Sequence, residues 1–418
     1  MNAINRRLQL PEKPFMKTGL LFLLLGMVPL VAAFGQMETD IYLADLKIQQ
    51  NGIQLATPVN ISKNPGYDNQ PSFLDGETLL YSRNRGGQTD IARYSLKEGT
   101  TSWLSDTPGG SEYSPLKIPG REAVSSIRLD TTGLQRLYAY PLGGGEPNLL
   151  VKGLKIGYHL WADPDLLVCT VLVEDRMDLV VVNLKEDSRH TFQKDVGRSL
   201  LRVPGSERIS YLEKEQDTLV VKSMDPRSGA NERIIALPEG VQDLVWLPDG
   251  TLLCGYGNKL LGFQPGRDPD WRILQVLPPE AGRITRLAVS PDGSKLALTL
   301  GPDPQVPVDH QIYAFNTKDL EAFVQAFSDS VVGRDFDFPE PPLFIGRECL
   351  KQDMDLRFVI RKEARYEIVH RTILGNKVID EVRLSVFNGY ERFVAIYEVE
   401  KGLITRITYI HRKIQKDP

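Results

Sequence analysis

The chain runs to 418 residues and carries a formal net charge of −4, from 50 Lys and Arg against 54 Asp and Glu. With 41% apolar and 25% charged residues it has enough apolar material for a globular core and is not bulk disordered. The slightly acidic balance excludes a non-specific nucleic-acid binder, which needs a basic face, and no polybasic run is present to hold a membrane surface.

At the start of the chain, Arg6, Arg7, Lys13 and Lys17 precede an apolar run over 20–33. That run is about 14 residues long, too short for a comfortable bilayer span. It ends in small residues, with Ala33 and Gly35 ahead of a cut before Gln36, so 1–35 reads as a secretory signal peptide. Met16 is an alternative initiator, since Met16-Lys17-Thr18 opens a shorter signal, and an uncleaved anchor is the competing reading. No Cys follows the small residues, which disfavours a lipid anchor.

Segments 70–82, 243–253 and 286–298 then share one plan. A short apolar strand meets a tight turn at Asp75-Gly76, Asp249-Gly250 or Asp292-Gly293, and a second apolar strand follows. Gly accepts the positive φ of a hairpin turn and Asp tolerates it. Weaker copies turn at Pro119-Gly120, Asp163-Pro164-Asp165 and Pro204-Gly205. The units recur about every 41–46 residues, the period of four-stranded propeller blades. Most continue into a second hairpin, such as 90–96 with 101–104, or 179–184 with 189–192. The last unit offers only 285–290 and 295–300, so its missing pair is expected at 40–47 and 53–61. A ring whose two ends share a blade leaves no open joint and no exposed edge there. Apolar spacing of two, or continuous apolar runs, excludes a helical reading.

The stretch Asn69-x-Pro71-x-Phe73-x-Asp75-Gly76, followed by Tyr81-Ser82-Arg83, Gly87 and Asp90-Ile91, resembles the repeat of TolB-like propellers. The resemblance extends over 37–300. It implies a six-bladed propeller, an exported bacterial protein in the periplasm or outside the cell, and a protein or cell-envelope partner.

After Gly301-Pro302-Asp303-Pro304 the pattern changes. Residues 310–328 read as a helix with a break near Asn316, and Asp319 is placed to cap a second segment. A Pro-containing stretch over 336–342 follows. Strands are predicted at 356–360 (alternatively the end of a helix), 365–374, 377–386, 391–400 and 403–411, with hairpin turns at Gly375-Asn376 and Lys401-Gly402. Helix followed by meander predicts an α+β cone over 304–418. The fold class is therefore mainly β, a propeller with a C-terminal α+β domain of cystatin type. Three stretches, beginning at Tyr313-Ala314-Phe315, Gly375-Asn376-Lys377 and Ala395-Ile396-Tyr397, resemble the SnoaL-like, nuclear-transport-factor fold. That resemblance implies an internal pocket and, in some relatives, ketosteroid isomerase chemistry. It would put a general base at Asp335 and the polarising donors near Gln311 and Ala395, neither of which is the expected Tyr or protonated Asp. A base without an oxyanion partner is a poor isomerase. The expected uses are a small apolar ligand, a pocket packed shut, or a homodimer face.

No Gly-x-Ser-x-Gly, His-Glu-x-x-His, P-loop or dinucleotide fingerprint occurs, and the five histidines form no local ligand spacing. Cys169, Cys254 and Cys349 lie far apart and read as buried or inert thiols, with one disulfide as the alternative. No metal or cofactor is expected. What remains is the propeller mouth. The residues opening each innermost strand are Tyr67 and Asp68, Glu112 and Tyr113, Tyr158, His159 and Trp161, Arg198 and Arg202, Asp243, and Arg283 and Arg286. Arg and aromatic side chains dominate binding hot spots, and polar groups converging from several elements mark a ligand mouth. The sequence therefore predicts a non-catalytic binding protein. The alternative is an enzyme, with Asp335 as base in the tail or His159 and Glu112 working together in the mouth.

Overall fold

The computed structural model describes residues 38–415 apart from 51, 387 and 388, so the expected signal segment lies outside the described residues. Six antiparallel blades are formed among them, five of four strands and the last of five, in which Val59–Asn60 also pairs with Asp40–Gln49. The first is Asp68–Phe73, Thr78–Arg85, Gln88–Ser95 and Thr100–Trp103. The second begins at Gly110–Lys117, the third at Ile156–Trp161, the fourth at Val196–Arg202 and the fifth at Leu244–Trp246. In the sixth, Arg283–Val289 and Lys295–Gly301 are joined by Asp40–Gln49 and Gly52–Leu55. Asp40 lies opposite Leu300 and Asp45 opposite Lys295. Innermost strands of consecutive blades touch, including the sixth against the first, so the ring is closed.

Each blade is too thin to bury its own apolar face, so the core is distributed over the joints. Every joint has its own apolar cluster. Ile41, Tyr81 and Ala297 fill the joint of the sixth and first blades. Leu80, Ile91 and Val124 fill the next, and Ile127, Trp161 and Leu167 the one after. Val168, Leu179 and Tyr211, Leu212, Trp246 and Leu252, and Leu253, Leu260 and Leu296 complete the circle.

The three strong turns work through their aspartates. Asp75, Asp249 and Asp292 each accept a hydrogen bond from the backbone N–H two residues on, at 2.9, 3.0 and 3.0 Å. Gly250 and Gly293 take φ of 83° and 74° as a hairpin glycine should, but Gly76 does not adopt the left-handed conformation. The common element is the Asp side chain closing the turn on its own backbone.

In the tail, helix α1 spans Gln305–Thr317 and α2 spans Leu320–Gln325, with the Asp319 carboxylate capping Ala322 N–H at 3.0 Å. The predicted helix therefore starts earlier and stops sooner. Residues from 327 belong to a strand, Phe327–Asp335, which runs parallel to Leu403–Gln415. Its partner lies some seventy residues downstream by number, so local periodicity carries no trace of the pairing. Residues 356–360 are the end of a helix, α3 (Arg347–Ile360), which buries Leu350, Met354 and Phe358 at four-residue spacing. The tail sheet has six strands in the order Phe344–Ile345, Phe327–Asp335, Leu403–Gln415, Gly389–Glu400, Lys377–Val386 and Tyr366–Leu374. The three helices and this sheet enclose one apolar core. No helix among the described residues is long and apolar enough to cross a membrane.

Candidate ligand-binding site

Five of the six innermost strands break register near one end. The shifts fall between Asn69 and Ser72, Tyr113 and Leu116, Ile156 and Tyr158, Val196 and Leu200, and Ile284 and Arg286. Two carry residues of positive φ, Gln70 at 57° and Ser114 at 51°. A bulge twists a strand and re-aims its side chains. Here the bulges adjoin Tyr67, Tyr113, Tyr158, Arg198 and Arg286.

Tyr67, Arg198, Asp243 and Arg286, from or beside four different blades, line a cavity of about 790 Å³. Asp243 ties two of the cations together. Arg198 donates from Nε at 2.6 Å and from Nη2 to one carboxylate oxygen, and Arg286 donates from Nη1 to the other at 2.9 Å. The Arg286 guanidinium lies 5.5 Å from the centre of the Tyr158 ring. Burial pushes the Tyr67 phenol up to about 12, against the pull of Arg286, so Tyr67 is a neutral donor at physiological pH. The same cavity is bordered by Lys259 and Arg283 and, from the tail, by Asp309, Ile368 and Arg371. These residues also hold the tail against the propeller. Arg283 pairs with Asp303 at 2.6 Å and the Lys259 ammonium sits 4.7 Å from the Tyr313 ring centre. Arg371 bridges Asp309 at 2.5 Å and the fully buried Asp380 at 2.7 Å through two bonds.

The tail holds a second cavity of about 240 Å³, walled by Phe315, Phe323, Met354, Tyr366 and Phe393. At its lip stand two ion pairs, Asp353 with Arg357 at 2.8 Å and Arg361 with Glu391 at 3.2 Å. Deeper, Gln311 donates to the Tyr397 hydroxyl at 3.3 Å, and that hydroxyl is 3.2 Å from the Tyr366 hydroxyl. Burial holds both phenols well above their ordinary range.

The sequence profile of the SnoaL-like domain family matches residues 308–407. Residues 308–407 are a SnoaL-like domain. A structure described as TolB from Agrobacterium tumefaciens is 16% identical and covers 64% of this chain and 100% of its own, with a TM-score of 0.51. The propeller thus has the TolB-like fold. An NTF2-like protein of unknown function from Cytophaga hutchinsonii is 20% identical over 27% of this chain and 90% of its own, with a TM-score of 0.23. No curated protein sequence matches the chain.

Not every side chain expected at the propeller mouth is there. Tyr113 lines a smaller recess of about 260 Å³ beside Tyr67, and Tyr158 lines a separate, comparably large recess of about 840 Å³ that shares Arg198 with the first cavity. Asp68, Glu112, His159 and Trp161 are buried between blades. Asp68 accepts from the Asn84 N–H at 3.0 Å, and Glu112 from the Tyr140 hydroxyl at 2.8 Å. His159 and Trp161 both bond the Ser125 hydroxyl at 2.8 Å, and burial drives the His159 pKa down to about 3. These four are joint residues because their strand positions point away from the channel. Arg202 sits at the far end of its strand, exposed, donating to the Ala162 carbonyl at 2.8 Å.

In the SnoaL-like domain, Asp335 does not line the cavity. Its carboxylate closes a turn, accepting from the N–H groups of Asp337 at 2.9 Å and Phe338 at 3.3 Å. Gln311 lines the pocket while Ala395 is fully buried. The phenols of Tyr366 and Tyr397 escaped the sequence reading. The signal was Tyr397 within the inward series Phe393, Ala395, Tyr397 and Val399, at strict period two. All three cysteines are free thiols, Cys169 and Cys254 buried as expected, but Cys349 is exposed at the pocket.

Proposed function

We propose that the chain is an exported, non-catalytic binding protein whose TolB-like propeller mouth, faced by the SnoaL-like domain, holds a segment of a protein or cell-envelope partner. The observation that carries this reading is the cavity of about 790 Å³ on which side chains of four blades and of the tail converge. Its volume suits a short extended segment or a small molecule rather than a folded domain. The Arg and Tyr side chains in its lining are of the types enriched at binding hot spots. Export rests on the three-part leader at 1–35. The cavity in the SnoaL-like domain, apolar with two ion pairs at its lip, suits a small apolar ligand.

A photo-crosslinking amino acid placed at Tyr67 in the full chain tests the mouth, with the same probe at exposed Leu134 as the control. The expected result is a cellular adduct from Tyr67 alone, weakened by Arg198→Glu and not by Arg202→Glu. Equal adducts from both probe positions would remove the mouth from the proposal. A periplasmic reporter fused after residue 40 tests export.

A further inference from the structure

The ion pairs around the mouth cavity are not shared out evenly. Arg283 has Asp303 as its own carboxylate, and Arg371 has Asp309 and Asp380. On the propeller side two guanidiniums, Arg198 and Arg286, share the single carboxylate of Asp243. Asp243 accepts three N–H groups from the pair, fewer than two guanidiniums carry. A desolvated cation with only a share in a carboxylate is costly, and a second carboxylate relieves that cost through short, charge-assisted bonds. Tyr67 and Tyr158 stand beside the pair, one as a neutral hydroxyl donor and one with its ring near Arg286.

We propose that the Arg198–Asp243–Arg286 triad is a carboxylate-recognition site, with Asp243 holding the two guanidiniums as a preformed fork and the ligand's carboxylate completing a two-cation, two-anion cluster. The triad itself carries one excess positive charge, which matches a monoanion, and Lys259 and Glu239 on the same cavity formally offset each other. The rings of Tyr67 and Tyr158 beside it favour a carboxylate carried on an apolar body. This rests on the reading of the mouth as a binding site and adds the chemical class of what enters it. The carboxylate has two sources, a free small acid or an acidic residue or chain end of a partner.

Titration calorimetry on the full chain separates them. The probes are benzoate, an end-capped hexapeptide containing one Glu, the same peptide with Gln in its place, and inorganic phosphate. The expected result is binding of benzoate or the Glu peptide at least about tenfold tighter than the Gln peptide and phosphate, the size of a lost charge-assisted pair. Preference for benzoate assigns the free acid, and preference for the Glu peptide assigns the partner. Arg286→Gln and, independently, Arg198→Gln should each weaken that binding about tenfold. Asp243→Asn, which loosens the fork that holds the two guanidiniums, should weaken it as well, whereas tighter binding by this variant would mean that Asp243 competes with the ligand and would overturn the preformed fork. Equal affinity for the Glu and Gln peptides, or tighter binding of phosphate, overturns the carboxylate assignment while leaving mouth binding intact. Carboxylate binding that neither Arg variant changes overturns it as well, by moving the site elsewhere. No binding by any probe also overturns it, and the Tyr67 crosslink then reports separately on the mouth.

Discussion

Glu112 has no exposed surface, and burial, opposed by the Tyr140 hydroxyl, raises its pKa to about 7 from 4.5. A carboxyl that holds its proton more tightly when folded stabilises the fold below its unfolded pKa. That contribution is lost as pH rises through the window from 4.5 to about 7. Glu112→Gln keeps a neutral side chain at every pH, so its urea midpoint should stay flat where the native protein's declines. At pH 8 the variant should be the more stable by up to about 3 kcal/mol. Parallel pH profiles for the two proteins would show that Glu112 is not held protonated. Arg371 poses the opposite case. It is the partner of Asp380, which is wholly buried. Arg371→Met strands that carboxylate, and the expected cost is about 3–5 kcal/mol in denaturant unfolding. Arg371→Met combined with Asp380→Leu should recover much of it, because the stranded charge is then gone.

At the scale of elements, two tail turns make a matched pair. Gly375 and Gly402 both have positive φ, 59° and 74°. A Cβ at Gly375 meets nothing within 4 Å, whereas one at Gly402 falls 2.6 Å from the Glu280 Cα of the propeller. Gly375→Ala should therefore cost only the backbone penalty, about 1 kcal/mol. Gly402→Ala should cost that plus the displacement of one domain from the other, and thermal unfolding of the two variants isolates the difference. Equal melting temperatures would mean the turn yields without disturbing the contact. The α2 cap offers a smaller effect, since Asp319→Ala should lose about 1 kcal/mol with the bond to Ala322.

For the whole molecule, the decisive feature is the ring. Ile41 is fully buried, lies opposite Thr299 and sits in the cluster joining the sixth blade to the first. Ile41→Ala should cost about 2–5 kcal/mol. Hydrogen exchange should report the loss in both blades at once, because each supports the other across the joint. A loss confined to the strand 40–49 would mean that this strand is an appendage rather than part of the closure.

Local chemistry was enough to read the fold class. Asp-Gly and Pro-Gly turns, period-two alternation and the recurrence of the unit are properties of neighbouring residues, and they are written in order along the chain. The mouth was only half legible, and the adjacent pairs show why. Tyr67 and Asp68, Glu112 and Tyr113, and Tyr158 and His159 are each one residue apart, yet the tyrosines line cavities while Asp68, Glu112 and His159 are buried. Successive side chains on a strand face opposite ways, so a single step in register decides between channel and joint. The bulges that set that register arise from pairing with the next strand, not from the residues themselves. The parallel strand Phe327–Asp335 and the shared carboxylate of Asp243, which lies 45 and 43 residues from its two arginines, depend likewise on contacts made only after folding. The sequence by itself determined the kinds of element and their repetition, because these follow from propensity and local pattern. The tertiary structure alone decided which side chains meet, because that depends on the register between strands distant in the chain.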